Sequence, residues 1–558
     1  MLTAERTEHR TSVAERLDRR PIVIYAGGVA LAVAVYFVNL SAGLDFDLDE
    51  VMYALAGQNV ATDGSVSWGS QPTTVHPPLH FLLIGAWTLL SGSAHGDLVG
   101  AILHARQLGA FFSVLTVLMV GLLARRYAVG RGAAARTWIV AGAMVLATFD
   151  GFLVRFGRTG LIEPTAIFVG LLVVYLSLRL RNATSPVYLG VVGVVSGLAL
   201  LVKEPLIFTI VVPALAGLLE RDWAYLRRSL AALLIGLLVW GTFPLWAVVN
   251  GAGGWWWSEH DTSLNRLAGF LQVSGLNRSG VSSAGVFGDT FTMYLSGYLI
   301  FSIGAAGLLI AAYRGGLFHR RRLGRQAAGL VAFGVVSYGF LAYCVLLGQA
   351  NEQLTVYSAA PAVLLSVLAW GRPTPRAAIV ACALAALVGV TTWTTDVVLT
   401  RDDATIRMGR YLATHNACSP VNATGNAMRW APALTANHVY AFTDGPTALN
   451  AGLHLFLLSP KDSRLRYGNS SPELDTWVRT RGRPVLQLPS RRYERIELWS
   501  VPGPSVVTGE QCGNDRPPVS AQASSTRFLV LLAALIICLA AALYAWSIVR
   551  DRPDGDDA

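Results

Sequence analysis

Apolar residues fall in long blocks along this chain, and most blocks have the length that crosses a bilayer, about 17–25 residues. They lie at 22–40, 101–124, 137–154, 162–178, 186–202, 205–219, 229–249, 291–313, 327–347, 354–370, 377–396 and 527–549. A shorter run at 77–92 opens on His76, Pro77 and Pro78, and paired prolines suit the first turn of a helix. One stretch, 397–525, is the only long soluble-like region. It reads as α/β, with helices near 402–415, 446–454 and 472–481 and strands at 437–443, 455–458, 484–488 and 495–501.

Composition sharpens this picture. The chain has 558 residues, of which 53% are hydrophobic and 14% are Asp, Glu, Lys or Arg, against about 25% charged in soluble proteins. That excludes an ordinary cytosolic enzyme, a disordered chain and a secreted disulfide scaffold. The net charge of +10 is explained by where the arginines sit. Arg16, Arg19 and Arg20 precede the first block; Arg125, Arg126, Arg131 and Arg136 follow the second. Arg179 and Arg181, then Arg221, Arg227 and Arg228, then Arg320, Arg321, Arg322 and Arg325, then Arg372 and Arg376, and finally Arg550 and Arg552 flank later blocks. Short cytoplasmic loops collect arginine, and all these clusters fall on one side only if 77–92 does not cross.

The sequence therefore predicts a polytopic α-helical membrane protein with about twelve transmembrane helices, both termini cytoplasmic, and 77–92 lying on the outer side as an interfacial or re-entrant helix. The first 20 residues are polar and 22–40 lacks a small-residue cleavage site, so the first block reads as a signal anchor. The chain divides into a cytoplasmic segment 1–21, a transmembrane module 22–396 with outer loops 41–100 and 155–161, an extracytoplasmic domain 397–525, and a last helix with its tail at 526–558. The basic balance is topological and carries no sign of nucleic acid.

In a chain this poor in acids, the first outer loop opens on DFDLDE, with Asp45, Asp47, Asp49 and Glu50. Residues 48–61 read as a short helix. A carboxylate there can take a proton from an incoming hydroxyl; a solvated polar loop is the bland alternative. The second loop, RFGRTGLIEP, carries Arg155, Arg158 and Glu163. The two arginines suit a phosphate. Glu163 opens an apolar span, either as a functional acid or as an acid complementing the helix dipole. Lys203 in LLVKEP faces a lipid phosphate or pairs with Glu204. His76 binds a phosphate, orients a carboxylate or starts a helix. Trp255, Trp256 and Trp257 read as a membrane anchor or a sugar-stacking surface, with Glu259, His260 and Asp261 beside them to contact an acceptor or a divalent ion. No cluster has zinc-site spacing, no phosphate-cradling glycine loop is present, and no cofactor is called for. Cys344, Cys382 and Cys538 lie in apolar runs as small hydrophobes. Cys418 and Cys512 bracket the outer domain, where they pair as a disulfide or stay free.

Together these groups suggest an anionic lipid headgroup held by cations, with an acceptor hydroxyl activated by a carboxylate. The ordered set LDEVMYA at 48–54, HPPLHFLL at 76–83, RTGLIEP at 158–164, LLVKEP at 201–206 and QANEQLTVYSAAP at 349–361 resembles the membrane-embedded C-type (GT-C) glycosyltransferases, in particular the protein O-mannosyltransferase and aminoarabinose lipid A transferase group. The likeness spans about 20–395. It implies inverting transfer of a sugar from a polyprenyl-monophosphate carrier to an envelope glycan, lipid or protein on the outer face. It implies Asp49 as general base with Glu50 as its neighbour, Glu163 as the second-loop acid, and Arg158, Lys203, His76 and Arg155 around the donor phosphate. Trp256, Glu259 and His260 stand where an acceptor or sugar would be met. Two departures stand out: Glu204 replaces the more common Gly after the lysine, and a further span follows the outer domain. A flippase of lipid-linked sugars, expected to carry charges at mid-membrane, and a non-catalytic envelope scaffold acting through 397–525 are the alternatives.

Overall fold

The computed structural model describes residues 21–42, 45–68, 71–91, 98–181, 185–271, 283–315, 323–347, 352–370, 375–416, 419–434 and 438–503. The expected last span at 527–549 and both cysteines of the expected disulfide, Cys418 and Cys512, lie outside the described residues.

The apolar blocks form helices. Among the described residues five are long and apolar enough to cross a membrane: Leu98–Tyr127, Trp223–Val249, Thr290–Gly315, Arg325–Leu346 and Arg376–His415. The bent pair Ala133–Phe149 and Gly151–Gly157 is long and apolar enough when taken together, as a broken span or a re-entrant loop. The chain is a multi-pass membrane protein. The pair was expected as one straight span; it bends by 59° at Asp150, whose carboxylate accepts from the Leu153 amide at 2.9 Å and so starts a new helix. The block at 205–219 is likewise broken, into Glu204–Leu206, Ile207–Ile210 and Val212–Glu220, with Pro205 and Pro213 at the starts of pieces. The run at 77–92 yields only the 12-residue helix Leu79–Leu90.

Leu98–Tyr127 is the axis of the bundle, packed on Pro21–Phe37, Leu48–Asp63, Ala133–Phe149 and Glu163–Ser177. Close approach is possible because Gly109 has no side chain: a β-carbon there would stand 2.3 Å from the Thr159 carbonyl oxygen. That atom is backbone and cannot swing away. Gly109→Ala is expected to cost about 1–3 kcal/mol, read as a lowered thermal midpoint of the detergent-solubilised protein.

The two ends of the bundle differ. Arg106 and Tyr127 lie on this one helix, 21 residues apart, or about 30 Å. Around the Tyr127 end the arginine-rich turns interlock. Arg131 donates to the Leu368 carbonyl at 3.0 Å, Arg314 to Trp370 at 2.7 Å, and Arg228 to Leu180 and Arg181 at 2.8 and 2.6 Å. Guanidinium groups on final-turn carbonyls also complement the helix dipoles.

At the Arg106 end sits a small α/β unit. A two-stranded ribbon, Ser67–Trp68 (β1) and Gln71–Pro72 (β2), lies in the first loop. Val421–Ala423 (β3), Val439–Tyr440 (β4), Leu455–Leu458 (β5), Arg483–Ser490 (β6) and Glu494–Ser500 (β7) form a mixed sheet in the order β4-β3-β5-β7-β6. β3 runs parallel to β4 and β5; β7 runs antiparallel to β5 and β6. Helices Ala404–His415, Gly445–Asn450 and Pro472–Arg481 match the expected ones. β3 and the helix Ala427–Leu434 were not foreseen.

Candidate active site

The strip 45–50 enters the helix Leu48–Asp63 through a capping box. Asp47 accepts from the Asp49 amide at 3.0 Å, and Glu50 reaches back to the Asp47 amide at 3.2 Å. Most of the carboxylates in this strip have partners that occupy them. Asp45 accepts from the Thr405 amide at 3.1 Å and from its hydroxyl. Asp47 pairs with Arg492. Glu50, wholly buried, takes Arg106 in a fork at 2.7 and 2.9 Å and the Gly160 amide at 2.7 Å.

Asp49 is different. Its carboxylate accepts from the neutral amide of Gln353 at 2.9 Å and faces a cavity of about 790 Å³. Burial, and then the negative Asp47 beside it, push its pKa up to about 6, while the Gln353 hydrogen bond pulls the other way. Tyr53 lines the same wall.

Lys203 enters the cavity from the break before Glu204–Leu206. Its ammonium pairs with Glu163 and lies 6.0 Å from the centre of the Tyr357 ring. The second Glu163 oxygen is buried without a hydrogen-bond partner. Glu204 meets His260 instead: Nε2 stands 3.2 Å from the carboxylate, and Nδ1 2.8 Å from the Trp256 carbonyl. Both neighbours are acceptors, which favours the protonated ring. Burial opposes that charge, but these hydrogen bonds raise the His260 pKa. Trp256 stacks on the same ring at 4.1 Å. Glu259 is engaged by the Thr74 hydroxyl. His76 packs edge-on to Tyr53 at 5.7 Å, and burial, then the Lys203 charge, push its pKa well below the ordinary value, so it is neutral.

The cavity therefore gathers Asp49, Lys203, His76, Arg155, Trp256 and His260 from the expected set. Glu163 touches it through Lys203. Glu50 and Arg158 stay behind it. Arg158 is almost wholly buried and donates to the carbonyls of Val35, Tyr36 and Asn39 at 2.8, 2.9 and 3.0 Å, tying the end of the first helix. Burial, then Arg106, lower its pKa to about 9. The guanidinium expected at a phosphate thus holds backbone, while Arg155, 5.9 Å from the Tyr294 ring centre, is the expected arginine that lines the cavity.

The opposite wall was missed. It comes from the α/β unit: Asn426, Lys461, Asp462, Tyr467, Arg492 and Tyr493. Asp462 accepts from the Asn426 amide and side chain at 2.9 and 3.1 Å, and burial pushes its pKa to about 6. Asp47 and Glu50 could have been read as a capping box from their spacing. Nothing local marks Arg492 as reaching back to Asp47. Among the described residues no three His, Cys, Asp or Glu side chains form a group that could hold a metal ion.

Solved structures of membrane proteins share this arrangement of an apolar helical bundle and a small sheet. ArnT from Cupriavidus metallidurans, bound to undecaprenyl phosphate, superposes with a TM-score of 0.54 at 13% identity, covering 87% of this chain and 99% of that one. The oligosaccharyltransferase of Archaeoglobus fulgidus, in its apo form, gives 0.53 at 13% identity over 83% and 73%. The fold is thus that of the GT-C membrane glycosyltransferases, as the motif order implied. No family model and no curated protein matches the chain.

Proposed function

We propose that this protein is an inverting glycosyltransferase that moves a sugar from a polyprenyl-monophosphate carrier to an envelope glycan, lipid or protein on the outer face of the membrane. The observation that carries this reading is Asp49. Among the described residues it is the carboxylate of its strip that lines the cavity without an ion-pair partner, held by the neutral amide of Gln353, and it shares that cavity with the Lys203 ammonium. Asp49 takes the proton of the acceptor hydroxyl as that oxygen bonds to the anomeric carbon. The bond from that carbon to the phosphate breaks on the opposite face, and its electron pair leaves with the phosphate. Lys203 and Arg155 meet the charge growing there. Glu163 holds the ammonium in place, and neutral His76 offers one N–H. Trp256, with Glu259 and His260 fixing its helix, forms the acceptor side. Glu50 and Arg158 hold the frame. ArnT having been solved with undecaprenyl phosphate supports the donor class.

The membrane arrangement is part of the proposal: twelve spans, cytoplasmic termini, and the sheet and cavity outside. It is supported by the arginine-rich turns interlocking at the end of the bundle away from Arg106. Purified protein given polyprenyl-phosphate sugars and a cell-envelope extract should release the polyprenyl phosphate; consumption of nucleotide sugars alone would overturn the reading. A base must be ionised, and Asp49 titrates near 6. kcat/KM should therefore be level above that pH and fall about tenfold per unit below it, as a pH profile would read.

A further inference from the structure

Residues 45, 46 and 47 are each gripped by chain more than 350 positions downstream. The Thr405 amide and hydroxyl hold Asp45, the Tyr493 hydroxyl donates to the Phe46 carbonyl, and Arg492 pairs with Asp47. The turn that carries Arg492 is itself fixed. The amides of Arg491 and Arg492 donate to Asp402 at 3.1 and 3.3 Å, and Asp402 donates its own amide to the Ala42 carbonyl at 2.8 Å. A guanidinium held this firmly in a cavity wall is preorganised.

Asp47 is the hinge of the arrangement. One of its oxygens takes the Asp49 amide, and the other takes Arg492. We propose that Arg492 is a positioning residue for Asp49. By pairing with Asp47 it offsets part of the negative charge that stands beside the base, and by holding the cap it fixes the turn from which Asp49 enters the cavity. The α/β unit is thereby part of the reaction centre. This rests on Asp49 acting as the base.

Asp49 is faced by Asp47 and Tyr53 on its own helix, by Glu163 and Lys203 from neighbouring elements, and by Tyr467 from the α/β unit. With Arg492 gone, Asp47 and Asp49 become two carboxylates two residues apart without the cation that now pairs with Asp47. Such a pair binds one proton more tightly.

The test reads Asp49 itself, so that its outcome does not depend on finding the substrate. Full-length protein in lipid nanodiscs is treated with a carbodiimide, which attacks protonated carboxyls, across the acid-to-neutral range. Modification of the Asp49 peptide is followed by mass spectrometry. In Arg492→Gln the labelling midpoint should rise by about one pH unit. In Arg492→Lys, which keeps the charge, it should stay. In Arg492→Gln/Asp47→Asn, which removes both charges and keeps a good capping residue, it should return to the wild-type value. An unmoved midpoint in Arg492→Gln with an intact thermal transition would overturn the proposal, as would a rise that Asp47→Asn fails to reverse. Where transfer is measurable, the acid limb of kcat/KM should move with the labelling midpoint. A raised KM with an unmoved limb would make Arg492 a substrate contact and overturn the proposal too. Failure of the wild type to transfer from any polyprenyl-phosphate sugar, with these midpoints as expected, would overturn the glycosyltransferase reading alone.

Discussion

Asp49→Asn should lower the transfer rate by about 10²–10⁴-fold, the range a general base contributes, while expression and thermal stability stay near wild type. The second half of that statement follows from how little Asp49 supports. Its backbone amide, not its carboxylate, belongs to the capping box, and the carboxylate is bonded to a neutral amide. An asparagine retains the oxygen that accepts from Gln353 and loses only the basic charge. Because a base acts in the transition state, the loss should appear in kcat with little change in KM. Release of polyprenyl phosphate under single-turnover conditions measures it. Wild-type rates in Asp49→Asn would remove Asp49 from the mechanism.

The neighbouring residue should behave in the opposite way. Arg106→Leu is expected to destabilise the protein by about 3–5 kcal/mol, because it strands a wholly buried carboxylate. Arg106 gives Glu50 a two-pronged hydrogen bond and also donates to the Leu40 and Asp45 carbonyls at 3.0 and 3.3 Å. The pair joins the strip 45–50 to the bundle axis, and the Gly160 amide on Glu50 brings in the turn before Glu163. Tryptophan fluorescence during thermal unfolding would read the loss. The double variant Arg106→Leu/Glu50→Leu should recover much of it, since an apolar pair leaves no stranded charge. Under the proposed function, adjacent acids in the sequence would take separate duties: Asp49 in chemistry, Glu50 in assembly.

That division was only partly legible in the sequence. The spacing of Asp47 and Glu50 offers a capping box and the resemblance points to Asp49, but the structural role of Glu50 shows only in its partners. The partners of the strip come from positions 106, 353, 405 and 492, far along the chain. What was legible is what local physics decides. The apolar runs gave the helices, and the arginine spacing gave the turns that interlock at one end. The four-residue apolar run 455–458 gave β5, wholly buried at the centre of its sheet. β3 escaped because a polar residue sits in its middle. Asn422 is buried there, taking the Phe442 amide at 2.8 Å and donating to its carbonyl at 3.2 Å, so a core strand looked like loop. The partners of Arg158 were hidden for a related reason. A guanidinium near an outer loop looks ligand-directed until the carbonyls at the end of the first helix are seen to consume it.

The grip of residues 402–493 on the strip 45–50 also has a timetable. A ribosome adding about 5–20 residues per second needs roughly 20–90 s to travel from Asp47 to Arg492. Through that interval the first helices can be inserted and packed while the strip that carries the base waits with its downstream partners unmade. Under the proposed function, the reaction centre would then be among the last parts of the protein to form, after the bundle that frames it. Ribosome-stalled chains ending before and after Arg492 would differ in how readily a protease cuts the first loop.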